Sequence, residues 1–171
     1  MEQKQEERIA KIRERVNTNS AELNEIINAI VEPYTKELDE YVAWIKKCVT
    51  DYENPPTTQE LDEFTMTLPV FIYTASGMQE QLGIKNDIAK AIYNEMYHSA
   101  RDSIDKGTVA DKNSLAELAS QEEAIVSTVY KRSYAIVKAK VASAQELLSS
   151  IKKVVSRRMQ EYEITNISGG K

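Results

Sequence analysis

Glu95 and His98 stand three residues apart in Glu-Met-Tyr-His, the spacing that turns a carboxylate and an imidazole to one face of a helix. Carboxylate-bridged di-iron bundles use two such motifs, and His98 is the only histidine in the chain, so one subunit cannot build the symmetric centre. A plain surface or edge histidine is the alternative. Cys48, in Ile45-Lys46-Lys47-Cys48-Val49, has no second cysteine or nearby histidine with which to hold a metal, and an amphipathic helix of this kind packs a thiol as a small hydrophobe. Neither a G-x-x-x-x-G-K-[ST] loop nor a dinucleotide glycine fingerprint occurs. Acidic pairs such as Asp39-Glu40 and Glu122-Glu123 fit solvated helix faces as well as catalytic carboxylates. These residues point to no catalytic site, no metal site and no cofactor, and the chain is expected not to be an enzyme.

The basic residues carry more information. Between residues 124 and 160 eight bases face one acid, Glu146, so a net of +7 sits inside a chain whose total is -5. Lys131, Lys138 and Lys152 recur at multiples of seven, with Arg132 and Lys153 beside them and Arg157 and Arg158 beyond. On a helix this spacing makes one stripe. It can choose a helical partner electrostatically, the chain's own acidic first helix included, or it can bind phosphates by counterion release. Residues 1 to 85 hold 16 acids against 9 bases, so an internal partner of opposite sign is at hand.

The elements that must carry these residues are helices. At 171 residues, with 29% charged residues, five glycines and four prolines, the composition is that of long amphipathic helices in one domain or one elongated unit. The expected fold is all-α, an elongated helical bundle of coiled-coil-like character with about four helices, the first and last of them long. No run reaches the 18 to 20 apolar residues or so that span a bilayer, no apolar signal-peptide region follows Met1, and the single cysteine suits a reducing compartment. A cytoplasmic location without membrane contact is expected, the host cytoplasm if the chain is phage-encoded.

Ile9, Ile12, Val16, Leu23, Ile26 and Ile30 alternate steps of three and four, broken only at Asn19, and define a first helix over residues 1–53. The seam continues through Tyr34, Leu38, Tyr41, Ile45, Val49 and Tyr52, with a kink or break expected near Pro33. Asn54-Pro55-Pro56 ends it, and Thr57 with Glu60 forms a capping box for the next helix. Within residues 57–164, a helical core, Pro69 is expected to bend that helix, and Gly77 and Gly83 to loosen its end. The stretch Thr65–Tyr73 has strand propensity yet is flanked by helix and has no partner strand.

A third helix has Ile84, Ile88, Ile92 and Met96 at steps of four and ends near Ile104. Asp105-Lys106-Gly107-Thr108 is a turn, Gly107 being suited to positive φ. Ser114 with Glu117 is expected to cap a last helix that runs unbroken to Glu163. Its seam, Tyr130, Tyr134, Val137, Val141, Ala144, Leu148, Ile151 and Val155, alternates four and three without a slip, and Val126, Val129, Ile136, Leu147 and Val154 widen it. A broad face suits an antiparallel bundle within the chain or assembly of several chains. Residues 165–171 are expected to be a disordered tail.

The stretches Ser99-Ala100-Arg101-Asp102-Ser103-Ile104-Asp105-Lys106-Gly107, Val129-Tyr130-Lys131-Arg132-Ser133-Tyr134 and Leu147 to Arg158 place a helix end, a glycine turn and a long helix with a basic cluster in succession. In that arrangement about the last eighty residues resemble the UvsY-like recombination mediators of T-even and related phages; the first helix lies outside the resemblance. In that family a Lys-Ala-Arg segment before the turn is implicated in single-stranded DNA binding, and the C-terminal helix drives assembly into a ring. The resemblance implies that Arg101, with Lys106 nearby, contacts DNA; the basic stripe Lys131, Arg132, Lys138, Lys152, Lys153, Arg157 and Arg158, read from its own spacing, is the candidate extension of that contact. It implies self-association through Tyr130, Tyr134, Val137, Val141, Leu148, Ile151 and Val155. The work implied is non-enzymatic: a homo-oligomer holds single-stranded DNA and helps a recombinase replace the single-strand-binding protein. The alternative is a helical protein-binding module, an adaptor or inhibitor, with no DNA binding.

Overall fold

The structure, a computed structural model, describes the backbone of residues 2–168 and the side chains of residues 9–14 and 16–164. Among the described residues it is all-α, with four helices and no strand: α1 Glu2–Val49, α2 Thr58–Asp102, α3 Val109–Ala119 and α4 Gln121–Ser168. The first and last are the longest, at 48 residues each.

The turns follow from local hydrogen bonding. After α1 the Asp51 carboxylate accepts from the backbone N–H of Glu53 at 3.1 Å and of Asn54 at 3.0 Å, which folds the chain into the Pro55-Pro56 segment. Thr57 then caps α2. Its backbone N–H donates to Glu60 Oε2 at 2.7 Å, and the Glu60 N–H donates to Thr57 Oγ1 at 3.2 Å, which is the expected capping box. Gly107 has φ +128°, the positive value its lack of Cβ allows, and leads straight into Thr108.

Several local expectations are corrected. The helix predicted to loosen at Gly77 and Gly83 continues through both, so α2 joins two expected helices in one of 45 residues. At Gly83 an added Cβ would lie 3.2 Å from Cε2 of Tyr134, so the glycine makes room for the tyrosine ring of α4. The last cap is Thr108 with Asp111, not Ser114 with Glu117. Ser114 lies inside α3, where backbone N–H groups already have partners one turn back. Finally, the long last helix is interrupted at Ser120, with φ -107° and ψ 19°, which ends α3 and is followed at once by α4. Pro33 and Pro69 both lie inside helices, so α1 is not broken at Pro33. The expected tail overlaps α4 as far as Ser168, and residues 169–171 lie outside the described residues.

The chain divides into two compact units that cut across the helices: unit 1 is Met1–Pro33 with Leu82–Ala135, and unit 2 is Tyr34–Gln81 with Ile136–Lys171. Unit 2 has a well-formed core. Leu38, Ile45, Leu61, Phe64, Leu68, Ile72, Ala75, Val141, Ala144 and Ile151 are buried together, with Tyr41, Val42, Cys48, Phe71, Leu147, Leu148 and Val155 packed against them. Trp44 meets Phe64 edge-on with centroids 5.0 Å apart, and Tyr41 lies 4.8 Å from Phe71. Burying a side chain such as Phe64, Ile45 or Leu68 is worth about 1.5–3 kcal/mol each.

Unit 1 is different. Its buried hydrophobic residues are Ile27, Val31, Leu82, Ala89, Ala116 and Val129, accompanied by Ser120 and Ser133, whose hydroxyls donate to the Ala116 and Val129 carbonyls of their own helix turns. Two of those six are alanines. Meanwhile Ile9, Ile12, Val16, Ile26, Ile84, Ile88, Ile92, Met96, Val109, Leu115, Leu118, Ile125 and Val126 are all exposed.

Candidate nucleic-acid and protein interfaces

The stripe of cations forms on α4 because lysines seven residues apart return to nearly the same face every two turns. In unit 2, Lys138, Lys152 and Lys153 are exposed, and no carboxylate among the described residues pairs with them. At 1.5 Å per residue, Lys138 and Lys152 lie about 21 Å apart along the helix. Lys138 borders a groove of about 770 Å³ between α2 and α4, beside the exposed ring of Tyr73. Arg157 pairs at 3.1 Å with Glu161 one turn on, both well exposed, a contact worth a few tenths of a kcal/mol or so. Arg158 reaches across to the loop before α2, where Nη1 donates to the Pro56 carbonyl at 2.7 Å. Its role is therefore structural in part.

One cation of the segment does meet the acidic first helix. Lys140 forms an ion pair with Asp39 of α1, and its Nζ donates to Thr35 Oγ1 at 3.3 Å, while the buried Thr35 hydroxyl donates to Asp39 Oδ2 at 2.7 Å. Lys140 is not among the predicted site residues. It lies off the heptad stripe, on the side of α4 turned towards α1.

In unit 1, Arg101 is half-buried at the end of α2, Lys106 is exposed in the turn, and Lys131 and Arg132 are exposed on α4. Lys131 shares a groove of about 430 Å³ with Lys90, Tyr93, Asn86 and Asn94. A second groove of about 460 Å³ is lined by Lys85, Ile88, Ala89 and Ile92 from α2 and Glu122, Glu123, Val126 and Tyr130 from α4. It is largely apolar at its floor.

The predicted self-association seam is spent within the chain. Val137, Val141 and Ile151 are buried, and Leu148 and Val155 pack against the core of unit 2, so these side chains have little or no surface left for a second copy. Tyr134 is half-buried against Gly83, and Tyr130 lines the apolar groove of unit 1. Apolar side chains open to a partner include Ile9, Ile12 and Val16 of α1 and the Ile84-Ile88-Ile92-Met96 row of α2, a row whose spacing in the sequence gives no sign that it stays uncovered.

Elsewhere the chemistry is plain. His98 is exposed, with Tyr97 edge-on at 5.4 Å, and Cys48 is half-buried against the unit 2 core. Among the described residues no three histidine, cysteine or acidic side chains gather as a metal site would require, and no helix is long and apolar enough to cross a membrane. The perturbed acids are Asp51, held below its ordinary value by hydrogen bonds from Asn54, and the two cap carboxylates. The Thr57 backbone N–H, then its hydroxyl, holds the Glu60 carboxyl below its ordinary value, and the Thr108 hydroxyl, then its N–H, does the same for Asp111. Compared with family models, curated proteins and solved structures, the chain gives no match.

Proposed function

We propose that this chain is a non-enzymatic mediator of the UvsY-like kind, which holds single-stranded DNA on its exposed cations and brings it to a recombinase. The observation that carries this reading is the state of the stripe. Lys131, Arg132, Lys138, Lys152 and Lys153 remain exposed without a carboxylate partner among the described residues, although an acidic helix of opposite sign belongs to the same chain. Cations kept in solvent are available to phosphates, and their counterions are released on binding. Exposed Tyr73 beside Lys138 offers a ring on which a base can stack.

Fluorescence anisotropy of a labelled oligonucleotide tests it. Binding is expected at low ionic strength and should weaken steeply as salt is added, and Lys152→Gln with Lys153→Gln should lower the slope of log affinity against log salt by about 1.4. Absence of salt-sensitive binding by the unaltered chain would sink the proposal.

A second reading, a helical protein-binding module without DNA binding, is favoured by the uncovered apolar side chains of unit 1. Capture of a defined protein partner by a chain that ignores oligonucleotides decides for it.

A further inference from the structure

Unit 1 exposes two apolar faces that a single chain leaves without a partner. On α1, Ile9, Ile12 and Val16 are 47%, 55% and 59% exposed, at the three-four spacing of a coiled-coil seam. On α2, Ile88 and Ile92 are 54% and 48% exposed and, with Val126 of α4, form the floor of the 460 Å³ groove. Apolar area of this extent, collected along helix faces, marks a protein-binding surface.

The charges select the occupant. Residues 9–16 of α1 hold Lys11, Arg13 and Arg15 against Glu14, a net of +2, while Glu122 and Glu123 line the groove against Lys85, a net of -1, with exposed Glu95 further along α2. A helix with an apolar stripe and net positive charge fits an apolar groove of net negative charge, because the contact buries hydrophobic surface and sets opposite charges against each other. We infer that residues 9–16 of α1 from a second copy of this chain occupy the α2/α4 groove of unit 1. The exchange is reciprocal about a two-fold axis, so a dimer covers both faces of both copies and closes without leaving an open end. This contact forms without DNA, so it stands or fails independently of the DNA-binding proposal.

Sedimentation velocity of the full-length chain without nucleic acid provides the test. The unaltered chain is expected to sediment as a dimer at about 10 μM, a concentration about tenfold above a Kd near 1 μM. Lys11→Glu with Arg13→Glu places like charges in the contact and should give a monomer, and so should Glu122→Lys with Glu123→Lys. These substitutions are on the helix surface. Mixing the two monomeric variants is the decisive step, since each then offers the other a complementary helix and groove, and a dimer should return. An unaltered chain that is monomeric overturns the inference. So does unchanged mass in either double variant, or a mixture that stays monomeric while circular dichroism shows both variants helical. If the variants lose helicity, Ile12→Gln and Ile88→Gln replace them, and a dimer in either one overturns the inference in the same way.

Discussion

Units 1 and 2 are built from the same three long helices, and they spend their apolar residues in opposite ways. In unit 2, aromatic and branched side chains from α1, α2 and α4 close over one another, with Ile45, Phe64 and Leu68 fully buried. In unit 1 the small residues Ala89, Ala116, Ser120 and Ser133 make up half of the buried residues beside Ile27, Val31, Leu82 and Val129, while most of the isoleucines stand in solvent. The difference separates two uses of an amphipathic helix: holding the chain together, and waiting for something to bind. Stability is expected to reside in unit 2 and association in unit 1.

The largest test of that contrast is a pair of truncations. Phe64→Ala should lower unfolding free energy by about 3–5 kcal/mol, since it empties a buried aromatic site. Ile88→Ala removes an exposed side chain and should change the stability of the monomer by less than about 0.5 kcal/mol while weakening self-association. Urea denaturation at low protein concentration separates the two, and equal losses would erase the distinction between the units.

Next in size is Asp39→Ala in unit 2. It leaves Lys140 without its carboxylate and the buried Thr35 hydroxyl without its acceptor, for an expected loss of about 1–2 kcal/mol by the same measurement. A loss near zero would mean that water replaces the carboxylate at no cost.

The caps compare the units at their edges. Thr57→Ala in unit 2 and Thr108→Ala in unit 1 should each cost about 1 kcal/mol, because each removes the hydroxyl that satisfies a free backbone N–H. Both cap carboxylates sit below their ordinary values, 4.5 for Glu60 and 3.8 for Asp111, so their contribution is complete above those values. It is lost as pH falls through the lower folded values. Thermal melts of the unaltered chain should therefore decline in acid more steeply than those of the two threonine variants, whose carboxyls are held less firmly.

The smallest effects come from two glycines on α2. Gly77→Ala in unit 2 meets nothing within 4 Å and should gain about 0.5–1 kcal/mol from helix propensity. Gly83→Ala in unit 1 brings a methyl to 3.2 Å from the Tyr134 ring and should gain less or lose. Equal gains would show that the ring shifts freely.

The helices were legible because spacing of apolar residues by three and four reports directly on helical faces, and the Thr57–Glu60 cap because its pattern is local. The break at Ser120 was not, since φ -107° is open to any residue and needs neither glycine nor proline. Nor was the persistence of α2 through Gly83, where the packing of Tyr134 outweighs a local penalty of about 1 kcal/mol. For the candidate sites the limit is of another kind. Periodicity says that Val137, Val141 and Ile151 face something apolar, and it cannot say whether that is another chain or, as found, the interior of this one. The cations were visible as residues, whereas the selection of Lys140 over Lys138 as partner for α1 depends on how the helices meet.

Pro69 has a consequence that outlasts the folded state. The segment Thr65–Tyr73 contains no charge and is rich in β-branched and aromatic residues, the composition of a strand that stacks into fibrils when it is released from a helix. A proline at its centre cannot donate the ladder hydrogen bond that such stacking requires. The residue that weakens one turn of α2 thereby guards the unfolded chain, and Pro69→Ala should shorten the lag of aggregation at elevated temperature even as it strengthens the helix.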